Sequence, residues 1–238
     1  MCIERGSTWN RWDFHLHTPY SILNNEFGFN IEEDHRGEHF DNFVKTLFEK
    51  KYDYKRGIRL LGIAAEKAVQ CGIVAIGVTD YFSIDGYKRI REEYLSKPDK
   101  MRMLFPDDKL RKSVEEIFVF PNIEFRLNTF VGEKAHSVNY HVFFSDKFPV
   151  ERIESEFLGK IEILRPDCSK LSLNRMNIEA VGRRYKEHNN ATGNDYLIGL
   201  EKITVNYEKI QEVLMSNIIF KGKYFISVPV DEDLSNIQ

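Results

Sequence analysis

Cysteine is scarce: Cys2, Cys71 and Cys168 are the only three in 238 residues, odd in number and widely spaced. None belongs to a CxxC pair, which argues against a disulfide framework and for reduced thiols in a cytoplasmic protein. Long apolar runs are lacking too. No stretch approaches the roughly 18 apolar residues a membrane span needs, and the opening Met-Cys-Ile-Glu-Arg-Gly does not read as a secretory signal. The expectation is a soluble chain with no membrane partner. Excess positive charge is missing as well. A net charge of −3 gives no overall attraction to phosphate backbones, so nucleic-acid binding would need a local basic patch. The phosphate-cradling GxxxxGK[ST] pattern is absent, so these residues alone are not expected to hydrolyse ATP. There is no internal repeat and no low-complexity linker.

What the chain does have is aromatic and apolar mass: 18 Phe, 11 Tyr and 42% hydrophobic residues, enough to bury a substantial core. The pattern along the chain alternates. Gly57 to Gln70 has helical apolar spacing and stops at Gly72; Ile73 to Thr79 is apolar on both faces, as in a strand buried between helices. Asp85 is expected to cap a helix running to about Tyr94, and Pro98 to Asp108 reads as a loop. Ile117–Phe120, Tyr140–Phe144 and Tyr224–Val230 read as strands; Val150–Ile161 and Met176–Glu187 read as helices. Residues 24–56 are polar with little periodicity, and are expected to form a loop or partly helical insertion, a candidate lid. Strand and helix in alternation imply an α/β fold with mainly parallel strands, whose chemistry gathers at strand ends.

The densest chemistry lies in Trp12-Asp-Phe-His-Leu-His-Thr18. Strand alternation puts Asp13, His15 and His17 on one face and Phe14 and Leu16 on the other. Two imidazoles about 7 Å apart along a strand can converge on one or two divalent ions. Pro19 and Ser21 then turn the chain. By contrast, His35-Arg-Gly-Glu-His39 fits the HxxEH zinc-protease pattern without its context. That pattern needs a stable helix, and Gly37 costs about 1 kcal/mol inside one. His35 or His39 could still reach another site from a loop.

The run Asp13-Phe-His-Leu-His-Thr-Pro-Tyr-Ser21 resembles the first motif of the PHP (polymerase and histidinol phosphatase) superfamily. The resemblance continues through Gly77-Val-Thr-Asp-Tyr81 with Gly86, through Pro121-Asn-Ile-Glu124, and through Asn139-Tyr-His-Val-Phe-Phe144. It covers most of the chain and implies a single PHP-type distorted (β/α)7 barrel that binds two or three divalent ions, such as Zn, Mn or Fe, and hydrolyses phosphoesters. His15, His17, Glu124 and His141 would be the ligands, with Asp13 and Asp80 as further ligands or as partners of ligands. Tyr81, Arg11, Arg126 and Lys88 are candidates to hold the substrate phosphate. A narrower resemblance, in residues 6–13, 79–87 and 120–126, is to TrlF-type proteins, where a PHP domain precedes an SMC/AAA-like ATPase. It implies a C-terminal ATPase partner, a nucleic-acid substrate and a role in DNA repair or defence against foreign DNA.

Two departures from that pattern stand out. Position 81 is Tyr where many members have a ligating His, and a neutral phenol is a poor ligand. The late Asp-x-His motif is also missing: His188 has no Asp two residues before it, and Asp231 and Asp233 are candidate substitutes. The barrel is therefore expected to be incomplete at its C-terminal end, as in a truncated piece. The rival expectation is a catalytically impaired PHP scaffold that binds a partner. His136, in a polar hairpin-like turn, is expected to be solvated, and Glu124 has an alternative partner in Arg126 on the same strand face. Oligomeric state is left open.

Overall fold

The computed structural model describes residues 11–24, 27, 31–49, 73–131 and 136–228. In chain order the elements are β1 (Arg11–His17), α1 (Glu38–Glu49), β2 (Ile73–Tyr81), α2 (Asp85–Arg89) with a π-helical continuation to Leu95, α3 (Pro98–Leu104), α4 (Asp108–Glu115), β3 (Phe118–Val131) and β4 (His136–Phe144). They are followed by α5 (Val150–Arg152), which runs on irregularly to Lys160, then β5 (Glu162–Leu164), β6 (Lys170–Ser172), α6 (Arg175–Asn189), α7 (Asp195–Lys202), β7 (Thr204–Val205), α8 (Tyr207–Ser216) and β8 (Tyr224–Ser227). The expected α/β class holds. The expected helix over Gly57–Gln70 lies outside the described residues, as do Asp231 and Asp233.

The eight strands form one mixed sheet. β1, β2 and β3 run parallel, and β4 returns antiparallel on β3 because the four residues between them are too few for a crossover. β8 adds antiparallel to β4. The far end of β3 takes β7 as a parallel neighbour through Leu127 and Val205, and β5 and β6 continue antiparallel beyond it. The expectation of mainly parallel strands holds for β1, β2, β3 and β7, and β4 departs from it.

Helices cover one face of the main strands. Leu16, Ile76, Val78, Ile123, Phe125, Val142 and Phe144 point into a core with Phe40, Phe48, Tyr87, Phe157 and Phe220. The helical part of residues 24–56 belongs to this core: α1 buries Phe40, Phe43, Val44, Leu47 and Phe48, an i, i+3, i+4, i+7, i+8 stripe. Pro98–Asp108 is a correction. Pro98 opens α3 at its first turn, where a missing N–H costs nothing, and Asp107 caps α4 by accepting from the Leu110 amide. No described helix is long and apolar enough to cross a membrane.

The opposite face is different. It carries Ala75, Gly77, Phe120 and Phe143, and Phe14 joins them, its ring 5.8 Å from Phe120 and 5.5 Å from Phe143. Gly77 is required there: a Cβ would lie 2.6 Å from the Phe14 carbonyl oxygen and 2.9 Å from the Phe143 ring. Gly77→Ala should therefore push β1 off β2 and destabilise the chain by about 1–3 kcal/mol. Urea unfolding of the variant beside the wild type measures this, and an unchanged midpoint would refute it.

Candidate metal centre

A register break in β1, between Asp13 and Leu16, builds the site. In a regular strand Phe14 and His15 would face opposite ways. Here Phe14 packs on the aromatic face while His15 and His17 also reach residues of that face; only Leu16 turns into the core. Phe14 opposite the ligands was the expectation, and the irregular register corrects it. After His17, the Ser21 amide donates to the Thr18 carbonyl at 2.9 Å, closing a four-residue turn with Pro19 at its second position.

Glu124 sits at the centre of the group. Its Oε2 lies 3.1 Å from His15 Nε2 and 3.4 Å from His17 Nε2, and the two imidazole nitrogens are 2.9 Å apart. His141 is the direct cross-strand neighbour of Glu124 in the β3–β4 ladder, with Nε2 4.0 Å from Oε1. The Glu124 side chain is fully buried, His17 and His141 nearly so, and His15 is 47% exposed on the solvent side. Ligand atoms around a tetrahedral zinc, with bonds of 2.0–2.1 Å, stand about 3.3 Å apart, so this spacing fits a metal ion. A second observation agrees: Glu124 Oε1 is buried with no hydrogen-bond partner, and a buried polar atom in that state needs an explanation. His15, Glu124 and His141 together form a group that could hold a metal ion, with His17 alongside.

The electrostatics suit ligation. Burial first, then the nearby His15, pushes the His17 pKa down to about 3; burial, then His15 and His17, does the same for His141. Both rings are neutral at physiological pH, the form that binds metals. Asn122 braces them. Its amide nitrogen donates to Thr79 Oγ1 at 2.6 Å and to the Phe14 carbonyl at 3.1 Å, and lies 3.1 Å from His141 Nδ1.

Asp13 lies at the rim, where its Oδ1 accepts from the His15 amide at 3.2 Å. Asp80 points to the helix face of β2, away from the cluster, and is fully buried. It accepts from Thr18 Oγ1 at 2.6 Å, Ser21 Oγ at 3.3 Å and the Gly86 amide at 2.8 Å. It thereby caps α2 from outside, whereas Asp85, expected as the cap, is the first helical residue and follows Ile84. Burial outweighs those donors and lifts the Asp80 pKa to about 7. Gly86 is held bare, since a Cβ would lie 2.2 Å from Thr18 Oγ1. Tyr81 stacks on His17, centroids 5.0 Å apart, and pairs in register with Glu124. Arg11 begins β1 opposite Ile73.

Two of the cationic candidates have protein partners. Lys88 Nζ lies 2.9 Å from both Glu154 oxygens, and Arg126 donates to the Glu201 carbonyl rather than to Glu124. His35 and His39 are exposed, on either side of Gly37, whose φ of +73° breaks any shared helix; this disposes of the protease pattern. His136 starts β4, and His188 is exposed near the end of α6. Ser21 and Asn122 were missed as site residues. Their signal was present in the motifs, but Ser21 reads as a turn former and Asn122 as a neighbour of Glu124. Comparison with protein-family models, with curated proteins and with solved structures returns no match for this chain.

The pKa shifts set a pH dependence for the metal-free protein. Lowered His values contribute stability above about 6.5 that is lost as pH falls toward about 3. The raised Asp80 value works in reverse, contributing stability at low pH that is lost as pH rises toward about 7. Between about pH 4 and 6.5 the unfolded chain binds two protons on histidine, and the folded chain one on Asp80. The net among these groups is one proton, and Asp85, also raised by burial, trims it at the acid end, so stability should fall by at most roughly 1.4 kcal/mol per pH unit on acidification. Urea titrations across that range measure the slope; a flat or opposite trend would contradict the assignment.

Proposed function

We propose that the chain carries the metal centre of a PHP-type phosphoesterase, hydrolysing phosphodiesters or phosphomonoesters. The observation that carries this reading is the Glu124 carboxylate, buried among three imidazoles with one oxygen unpartnered. His15, His17, Glu124 and His141 would hold the ions, and a mixed imidazole and carboxylate set suits Zn, Mn or Fe better than Ca or Mg. Bound there, a divalent ion supplies Lewis acidity toward a phosphoryl oxygen and toward water. The chain supplies the rest. Glu124 spreads one negative charge over both sides of the group, with Oε2 toward β1 and Oε1 toward β4. Exposed His15 and the rim carboxylate of Asp13 mark the side from which a substrate enters. A nucleic-acid substrate and an ATPase partner rest on the TrlF-type resemblance alone.

A second reading, a metal-bearing scaffold without turnover, has its own support. Tyr81 stacks on His17 where the resembled motif has a ligating His, and Lys88 already has Glu154 as its partner. Metal analysis and a Mn-dependent assay on a generic phosphodiester separate the two. The wild type should hold about one to two equivalents of metal per chain and show Mn-dependent hydrolysis. The His15→Ala, His17→Ala double variant should lose the metal, and Glu124→Gln should lower turnover by roughly 100-fold or more. Metal bound without turnover selects the scaffold; no metal at all sinks both readings.

A further inference from the structure

Asp80 is a fully buried carboxylate on the wrong face of the sheet to touch an ion, yet its hydrogen bonds lead to the cluster. Each group that bonds it is a donor: the Thr18 hydroxyl, the Ser21 hydroxyl and the Gly86 amide. Ser21 has one hydroxyl proton and three polar neighbours. These are Asp80 Oδ1 at 3.3 Å, the Thr79 carbonyl oxygen at 3.2 Å and His17 Nδ1 at 2.8 Å. The Thr79 carbonyl only accepts, and so does Asp80 once ionised above about pH 7, so there the proton lies on their side and the Ser21 oxygen faces His17 as an acceptor. His17 must then carry its ring proton on Nδ1. Its Nε2, 3.4 Å from Glu124 Oε2 and 2.9 Å from His15 Nε2, turns a lone pair toward the cluster.

We infer that Ser21 and Asp80 are positioning residues that lock His17 in its Nδ1–H tautomer and so keep Nε2 open to a divalent cation. The inference rests on the metal-centre reading for its purpose, though the tautomer itself is a property of the metal-free protein. Asp80 acts through the Ser21 hydroxyl. It adds a second acceptor to the Thr79 carbonyl, holding the hydroxyl proton away from the imidazole. In Asp80→Asn the Gly86 amide still needs an acceptor, so the amide oxygen takes that place and the NH2 group faces Thr18 and Ser21. One of the two acceptors that orient the Ser21 proton is then gone, and the hydroxyl can donate to His17 Nδ1.

The test is heteronuclear NMR of histidine-labelled, metal-stripped full chain at about pH 8.5, where Asp80 is ionised, paired with zinc affinity measured against a chromophoric chelator. Wild-type His17 should be protonated on Nδ1. Asp80→Asn should populate the Nε2–H form and weaken zinc binding by about 10- to 100-fold. Ser21→Ala should weaken it by less than about 10-fold, because the Thr79 backbone, which also hydrogen-bonds the His17 ring, remains as an acceptor for Nδ1–H. A wild-type proton on Nε2 overturns the inference, and that measurement decides alone if Asp80→Asn fails to fold. Weaker zinc binding in Asp80→Asn with an unchanged His17 spectrum also overturns it, since the role would then be structural. A wild type that shows Nδ1–H but binds no zinc would instead leave the tautomer lock standing and remove the metal reading.

Discussion

The carboxyl group of Glu124 is the constraint around which this structure is arranged. Removing a carboxylate from water is costly unless charge or hydrogen bonds compensate, and here one oxygen has neither. Two strands answer the need directly. β1 brings two imidazoles to within 3.4 Å of one oxygen, and β4 sets a third imidazole across the ladder from the other. The three elements meet because β2 lies between β1 and β3, with residues on its site face small enough to let the rings approach. Ala75 and Gly77 are the small residues, and Tyr81 closes the row against His17.

The two faces of these strands have separate tasks. On the helix side, Ile76, Val78 and Ile123 fill a continuous core, and Asp80 ties the turn after β1 to the start of α2. On the other side, aromatic rings at Phe14, Phe120 and Phe143 support the imidazoles; Phe143 stacks against His141 with centroids 6.1 Å apart. Thr18 and Ser21 pass between the two sides, which is how a residue buried among helices bears on the orientation of a ring in the cluster.

Much of this was legible in the sequence. Alternation in β1, the carboxylate in Pro121-Asn-Ile-Glu124 and the Tyr140–Phe144 run placed the four proposed ligands on strands or at strand ends, and the structure brings them together. Other parts depended on information that local pattern does not carry. The break in β1 that lets Phe14 and His15 share a face shows only in its pairing with β2, which the alternation of the strand's own residues does not reveal. The direction of β4 was implied by its short connection but outweighed by the general alternation of elements. Pro98 reads equally well as a loop residue or as the first residue of a helix, and the burial of Met101 and Phe105 decides for the helix. The α1 stripe was hidden by the charged residues interspersed along it.

One feature of β3 ties distant parts of the molecule together. The strand carries Glu124 and, three residues later, the ladder pair Leu127–Val205 that joins the smaller group of strands to the larger. A single stretch of extended backbone thus spans both, with no loop between them to absorb a displacement. Any tilt of β5, β6 and β7 is delivered to the buried carboxylate as a lever delivers it, so the stiffness of the His and Glu cluster depends on residues as far along the chain as Val205.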